Sequence, residues 1–393
     1  MQIKTWKSLI NLHFCSIILW VMIMKSGYYK SNMSGEMSYK SFYPTPLQEI
    51  QLTELDYRTV ELLSKANFEL GKLNGLASNI IDINMFLGSY VRKEALYSSQ
   101  IEGTQATLED ILDSSNENSS NVDIEDVINY VKTTNYSVEL AKELPICNRY
   151  IKKIHEVLLQ GVRGKEKNPG EFRHSQNWIG ASGSTLKNAK YIPPTVTDMN
   201  ECMSDLEKYI NDDTPIDDLI KIALIHYQFE TIHPFLDGNG RVGRVLILSY
   251  LMSKGKLDYP CLNLSYYLKR NQLEYYDRMS NVRLRDDYIG WIDFFLQGVI
   301  EICRESIECI NALVVLRNKN LKLLNDKNNW LLTYLERNPI IDAKHTSEKT
   351  GIDYYKVNRT INKYVELEIL RVSDESKKRR TYVYEEYVAI LKK

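Results

Sequence analysis

The stretch "ETIHPFLDGNGRVGR", residues 230–244, gathers one histidine, one aspartate, an asparagine between two glycines and two arginines within a few positions. His233 precedes Pro234, which disfavours helical conformation at the residue before it. The imidazole therefore stands at a helix end, where a neutral ring can act as a base. Asp237 has the chemistry of a Mg2+ ligand beside a phosphate, because Mg2+ takes oxygen and needs only one or two carboxylates. Gly238, Asn239 and Gly240 permit close backbone approach and open the next helix, so their amides and the helix dipole favour an anion. The Asn239 side chain adds a further amide donor. Arg241 and Arg244 are three apart and share a helical face, as an extended polyphosphate would require. A capped turn with a solvated arginine pair is the bland alternative, and the combination of groups argues against it.

Two helices must position these groups. "DDLIKIALIHYQFE" before the stretch and "VLILSYLMSKGK" after it are apolar and helix-forming. Upstream, "TVELLSKANFELGKLNGL" and "NMFLGSYVRKEALYSSQIEG" carry the helical period, the second stopping at Gly103. A polar loop, "SSNENSSNVD", precedes two more helices. Residues 161–196 turn to glycine, proline, serine and asparagine, with "NWIGA" and "KYIPP" as the arms of an expected β-hairpin flap. The last segment reads as three helices and a hairpin, "RVSDESKKRRTYVYEEY", with Asp353 capping the third helix; this is the pattern of a winged helix-turn-helix. The fold class is mostly α.

Together "HPFLDGNGRVGR" matches the Fic family pattern HPFx(D/E)GNGRxxR at every fixed position. The chain also resembles that family in "YKSFYPTPL", in "PGEFRHSQNWIG…YIPP" and in "YPCLNLSYYLKRNQLEYYDRM", over roughly residues 38–310. One departure is "TPLQE", where relatives often carry a proline pair. The resemblance implies a Fic-type helical bundle core with a β-hairpin flap, and AMP transfer from ATP to a Ser, Thr or Tyr hydroxyl of a protein. It implies His233 as the general base, Asp237 as the Mg2+ ligand, Gly238, Asn239 and Gly240 as the anion hole, Arg241 on phosphate oxygens and Arg244 on the γ-phosphate. Tyr266, Tyr267 and Asn263 are candidates for the adenine pocket, with core packing as the alternative.

"SSQIEG" taken as structure is a polar helix end. It also fits the inhibitory pattern of the family, (S/T)xxxE(G/N), with Ser98, Glu102 and Gly103. Ser98 and Glu102 are four apart and share a face. The resemblance implies that Glu102 holds Arg244 against the γ-phosphate, and relatives with such a glutamate also run the reverse, AMP-removing reaction. The flap, about 179–192, is the expected docking edge for a target segment added as a strand, and auto-modification is expected.

The domain division expected is 1–37 as an N-terminal extension, 38–113 as a helical region with the inhibitory helix, 114–324 as the Fic core and 325–393 as the winged helix. Residues 325–393 carry 14 Lys/Arg against 11 Asp/Glu. With Tyr354, Lys356, Arg359 and Lys363 on one helix and Lys377, Lys378, Arg379 and Arg380 on the wing, they leave open a DNA contact or a protein contact, including a homodimer. A winged-helix transcription regulator with a nucleotide-sensing core is the rival reading. Composition is ordinary for a globular protein, 44% hydrophobic and 26% charged with a formal net charge of −1, so no global charge draws the chain to nucleic acid or membrane. Six scattered cysteines without CxxC pairs read as reduced intracellular thiols, with no zinc spacing. Neither GxxxxGK[ST] nor GxGxxG occurs. "FCSIILWVMIM", 14–24, has no cleavage site and is short for a membrane span; a start at Met24 and a cytoplasmic protein is the favoured reading, a membrane anchor through 9–24 the other.

Overall fold

The computed structural model describes residues 25–50, 52, 55–80, 83–161, 165–324, 329–373 and 380–393. The apolar run at 14–24, Cys15 and Lys377–Arg379 lie outside these residues. The chain is mostly helical. Its centre is α7 (Asp218–Ile232), apolar around almost its whole circumference and buried on nearly every residue, as an all-round hydrophobic helix must be. It runs into α8 (Asn239–Ser253) through six residues, 233–238.

Around this pair pack α1 (Tyr57–Ser78), α2 (Asn84–Ile101), α3 (Leu108–Leu112), α4 (Val122–Leu140), α5 (Asn148–Leu158) and α6 (Val196–Asn211). Then come α9 (Leu264–Arg270), α10 (Gln272–Arg285) and the long α11 (Tyr288–Leu324). Trp291 of α11 is fully buried, and its indole N–H donates to Ala223 O of α7 at 2.8 Å, pinning the two helices. The helix α2 stops as expected: Glu102 is its cap and Gly103 follows with φ +102°, a conformation that suits glycine.

A two-stranded hairpin was not foreseen. β1 (Gly27–Asn32) pairs antiparallel with β2 (Tyr39–Pro44), so ordered structure begins inside the segment expected as extension. On the other edge of β2, Phe42 N donates to Ile192 O at 2.9 Å, tying this hairpin to the flap. The flap itself pairs less than expected. Ile179 and Tyr191 form one antiparallel bridge with both hydrogen bonds, at 2.8 and 3.0 Å. Between them the chain turns on its own side chains, Asn188 Oδ1 accepting from Thr185 N, which diverts backbone groups from a ladder.

After α11 come α12 (Asn329–Arg337), β3 (Ile340–Asp342), α13 (Ala343–Thr350), α14 (Tyr354–Glu366), β4 (Arg371–Val372), β5 (Thr381–Val383) and α15 (Glu385–Lys392). The three strands form one antiparallel sheet in the order β3-β5-β4. Asp353 caps α14, accepting from Tyr355 N and Lys356 N. The expected hairpin ends earlier than its sequence suggested, since "EEY" begins α15, where two acidic residues suit a helix N-terminus. This segment rests on the N-terminal half of α2: Ser89 Oγ and Tyr387 OH both donate to Glu336 O, and Arg92 donates to Arg337 O. Cys147, Cys202, Cys261, Cys303 and Cys309 are free thiols. Among the described residues no helix is long and apolar enough to cross a membrane.

Candidate active site

His233 ends α7 in the left-handed region, φ 51° and ψ 60°, while its N–H still bonds Phe229 O at 3.0 Å. Such backbone costs on the order of 1–3 kcal/mol for a non-glycine residue and needs outside support. Arg173 and Asn177 supply it. His233 O accepts from Arg173 Nε at 3.1 Å and from Asn177 Nδ2 at 3.2 Å, and Pro234 O accepts from Arg173 N at 2.9 Å. Arg173 is fully buried, and its other nitrogens reach Ser175 O and Pro194 O. Burial pulls this guanidinium down to about 10, which leaves it charged at neutral pH.

The imidazole of His233 is half-buried, and its Nδ1 lies 3.3 Å from Glu230 O. A carbonyl only accepts, so Nδ1 carries the proton and Nε2 keeps the lone pair. Desolvation pushes the ring down to about 4, so it is neutral at neutral pH and able to take a proton.

The turn after it is built from within. Asn239 Oδ1 accepts from Phe235 N at 2.8 Å and its Nδ2 donates to Phe235 O at 2.9 Å. The Asn239 side chain thus braces the turn, and its second Nδ2 hydrogen and its backbone N–H remain to be offered. Asp237 O is held by His155, whose Nε2 lies 3.1 Å away while its Nδ1 accepts from Gly170 N at 2.9 Å. The His155 ring stacks on Phe235 with centroids 3.7 Å apart, and burial pushes it down to about 4. Gly238, at φ 77°, completes the turn.

The first helical bond of α8 runs from Val242 N to Gly238 O at 2.9 Å, so the amides of Asn239, Gly240 and Arg241 precede it without helical partners. Beside them the Asp237 side chain is 45% exposed, with Oδ1 accepting from Gly238 N and lying 3.4 Å from Arg241 Nη2. Arg241 is buried and also lies 3.6 Å from Asp126. These residues open on a cleft of about 350 Å³, lined further by Glu102, Gln105, Asp123 and Glu125.

Arg244 is brought against α2. Its Nη2 donates to Glu102 Oε1 at 2.6 Å and to Ser98 O at 3.0 Å, and its Nε donates to Ser98 Oγ at 2.8 Å. Burial opposes the guanidinium charge most strongly, and the Glu102 carboxylate together with Tyr275, Glu230 and Tyr130 outweighs it. The carboxylate also lies over the start of α8: a Cβ added at Gly240 would stand 2.1 Å from Glu102 Oε1. Gly243 makes the same room for a second carboxyl, Glu230, whose Oε1 would be 2.3 Å from such a Cβ and has no hydrogen-bond partner among the described residues. Burial pushes Glu230 up to about 8, against the pull of Arg244.

Neither of the two tyrosines offered for an adenine pocket or for core packing lines the cleft at Asp237. Tyr267 is in the core, on Phe294 and against Gly298, and Tyr266 lies tilted against Tyr97 with centroids 4.7 Å apart, flanked by Lys93 and Arg270. The cause is α9, anchored by Ser265 N and Oγ on buried Glu94, which fixes its rotation. Asn263 is buried too. The aromatic groups at the motif come instead from α10. Tyr275 bonds His226 at 2.9 Å, and Tyr276, 40% exposed, is held above the ordinary phenol value by burial and then by the Glu102 charge. Arg173 and Asn177 were visible in "PGEFRHSQNW", but nothing local told that they hold the motif backbone; His155, Glu230 and Tyr276 gave no sequence signal.

Residues 60–139 match the model of the Fic/DOC family N-terminal region, and residues 145–251 that of the Fic/DOC family. A probable protein adenylyltransferase of Aquifex aeolicus is 26% identical over 189 residues, 47% of this chain and 54% of that protein. Protein adenylyltransferase Fic of Drosophila melanogaster is 31% identical over 121 residues, 30% of this chain and 22% of that protein. The chain thus spans about half the length of the first relative and under a quarter of the second. A solved Fic family protein from Desulfovibrio desulfuricans superposes with a TM-score of 0.55 at 19% identity, covering 84% of this chain and 97% of that one; the likeness is one of fold.

Proposed function

This chain belongs to the Fic/DOC family, and from that premise we propose that it transfers AMP from ATP to a hydroxyl side chain of a protein and holds itself back with Glu102. The observation that carries the transfer is the turn at 233–241. A neutral imidazole with its lone pair on Nε2, an exposed carboxylate and three amides ahead of the first helical bond lie within nine residues of one another. His233 takes the proton of the target hydroxyl. The hydroxyl oxygen bonds the α-phosphorus, the bond from that phosphorus to the β-phosphate bridge breaks, and pyrophosphate leaves. The amides of Asn239, Gly240 and Arg241 stabilise the charge on the α-phosphate oxygens, the largest kind of term in phosphoryl-type transfer.

Asp237 fits a Mg2+ ion. It is one exposed carboxylate at the mouth of an oxygen-lined cleft beside the anion donors, the donor set that Mg2+ takes when phosphates supply the rest. Bound there, the ion would neutralise phosphate charge.

Glu102 is the brake. Its carboxylate occupies the guanidinium that would bind the γ-phosphate and fills the space beside the Gly240 Cα. A nucleotide that enters beside it must bind out of line, and about 1 Å of misplacement costs roughly 100-fold in rate. The same exposed carboxylate, close to the transferred group, is set to orient water for the reverse reaction. Incubation of the purified protein with MgATP, followed by mass spectrometry, tests the transfer: an adenylyl group on a Ser, Thr or Tyr of the Glu102→Gly variant, lost in Glu102→Gly/His233→Ala, is the expected result. No adenylyl group on the chain or on any lysate protein would refute it.

A further inference from the structure

Three arginines around the motif are already engaged: Arg173 by backbone carbonyls, Arg241 by Asp126 and Asp237, and Arg244 by Glu102. A fourth, Arg283 of α10, is different. Its guanidinium donates to Ser280 Oγ at 3.2 Å, and among the described residues it has no carboxylate within 4 Å. It is half-buried, with its central carbon 4.3 Å from the centre of the Tyr191 ring.

Tyr191 gives that position its meaning. Its backbone N–H and C=O are both taken by Ile179, so it is one half of the bridge that closes the flap. Its hydroxyl donates to Thr231 O at 2.6 Å, two residues before His233. Arg283 therefore lies on the ring that joins the flap to the end of α7. The phosphate-binding groups lie on α8, across the turn. The charge of Arg283 is felt at both His233 and Glu230.

Resting on the transfer reading, we propose that Arg283 determines target specificity by pairing with an acidic side chain, Asp or Glu, in the segment docked along the flap. Because Arg283 sits on the ring that joins the flap to the end of α7, the acidic residue it reads lies in the same extended segment as the modified hydroxyl. A guanidinium on an aromatic face keeps its edge free for a carboxylate, to which its fork is matched. The phosphates of ATP have their own partners on α8, which leaves this cation to the target.

The test uses the full-length Glu102→Gly chain, labelled MgATP and synthetic peptides with one Ser, Thr or Tyr flanked by acidic, neutral or lysine residues. Acidic flanks are expected to raise kcat/KM about five- to tenfold over neutral ones. Arg283→Ala should flatten that preference, and Arg283→Glu should turn it toward lysine flanks, with KM for ATP moving less than about twofold in both. An unchanged flank preference in Arg283→Ala overturns the proposal, and so does a tenfold rise in KM for ATP, which would assign the cation to the nucleotide. A chain that labels itself but no peptide overturns it as well, since no segment is then being read. A chain that labels neither removes the transfer reading and this proposal with it.

Discussion

Removing the Glu102 carboxylate tests the central contact. Glu102→Gly deletes the 2.6 Å charge-assisted bond to Arg244 and uncovers Gly240. Hydrogen bonds to charged groups contribute about 1.5–3 kcal/mol, and the 39% exposure of the Glu102 side chain reduces this to about 1–2 kcal/mol. A γ-phosphate no longer has to displace that interaction, which is worth roughly tenfold in productive binding. If the nucleotide also gains in-line alignment, the rate rises by up to about a thousandfold. Arg244 should not wander, because Ser98 Oγ and Ser98 O still hold it at 2.8 and 3.0 Å. The same change should destabilise the protein by about 1–3 kcal/mol, since Arg244 is 3% exposed and loses its counter-charge. Saturating ATP should restore much of that loss. Initial rates of self-labelling with radiolabelled ATP and melting curves with and without MgATP read the two effects. Glu102→Gln, which keeps the shape and drops the charge, should fall between parent and glycine variant. A Glu102→Gly rate within twofold of the parent, on a signal abolished by His233→Ala, would refute the reasoning.

Three further outcomes follow from the geometry. Gly240→Ala should cost about 1–3 kcal/mol in the parent, where its Cβ meets Glu102, and less than about 0.5 kcal/mol in Glu102→Gly; equal costs in a thermal double-mutant cycle would exclude the close approach. Glu230 keeps its proton in the folded chain up to about 8, while the unfolded chain releases it near the ordinary 4.5, so stability falls as pH rises through that window. Glu230→Gln should therefore gain on the parent in Tm between about pH 5 and about pH 8, and a flat difference would contradict the buried acid. Arg173→Ala should destabilise by about 3–5 kcal/mol and abolish transfer, and Arg173→Lys should not rescue it, because one ammonium cannot reach His233 O, Ser175 O and Pro194 O together. Wild-type activity in Arg173→Lys would show that the backbone of His233 needs no such support.

The motif was legible because its physics is local. Base, carboxylate, amides and both arginines lie in one turn between two helices, and Pro234, Gly238 and the start of α8 dictate that turn from sequence alone. The capping of α14 and the stop of α2 at Gly103 were local in the same sense. Tertiary structure decided what the turn's groups face. Glu102 meets Arg244 across 142 positions of chain, a pairing that the pattern "SSQIEG" suggested but only the packing of α2 on α8 brings within 2.6 Å. Helix docking elsewhere put Arg173 and His155 behind the loop, and turned Tyr266 and Tyr267 away while bringing Tyr276 in. The reason is one of reach. Backbone conformation follows from a residue and its neighbours, whereas the partner of a side chain depends on the rotation and docking of whole helices, which the buried apolar faces fix together.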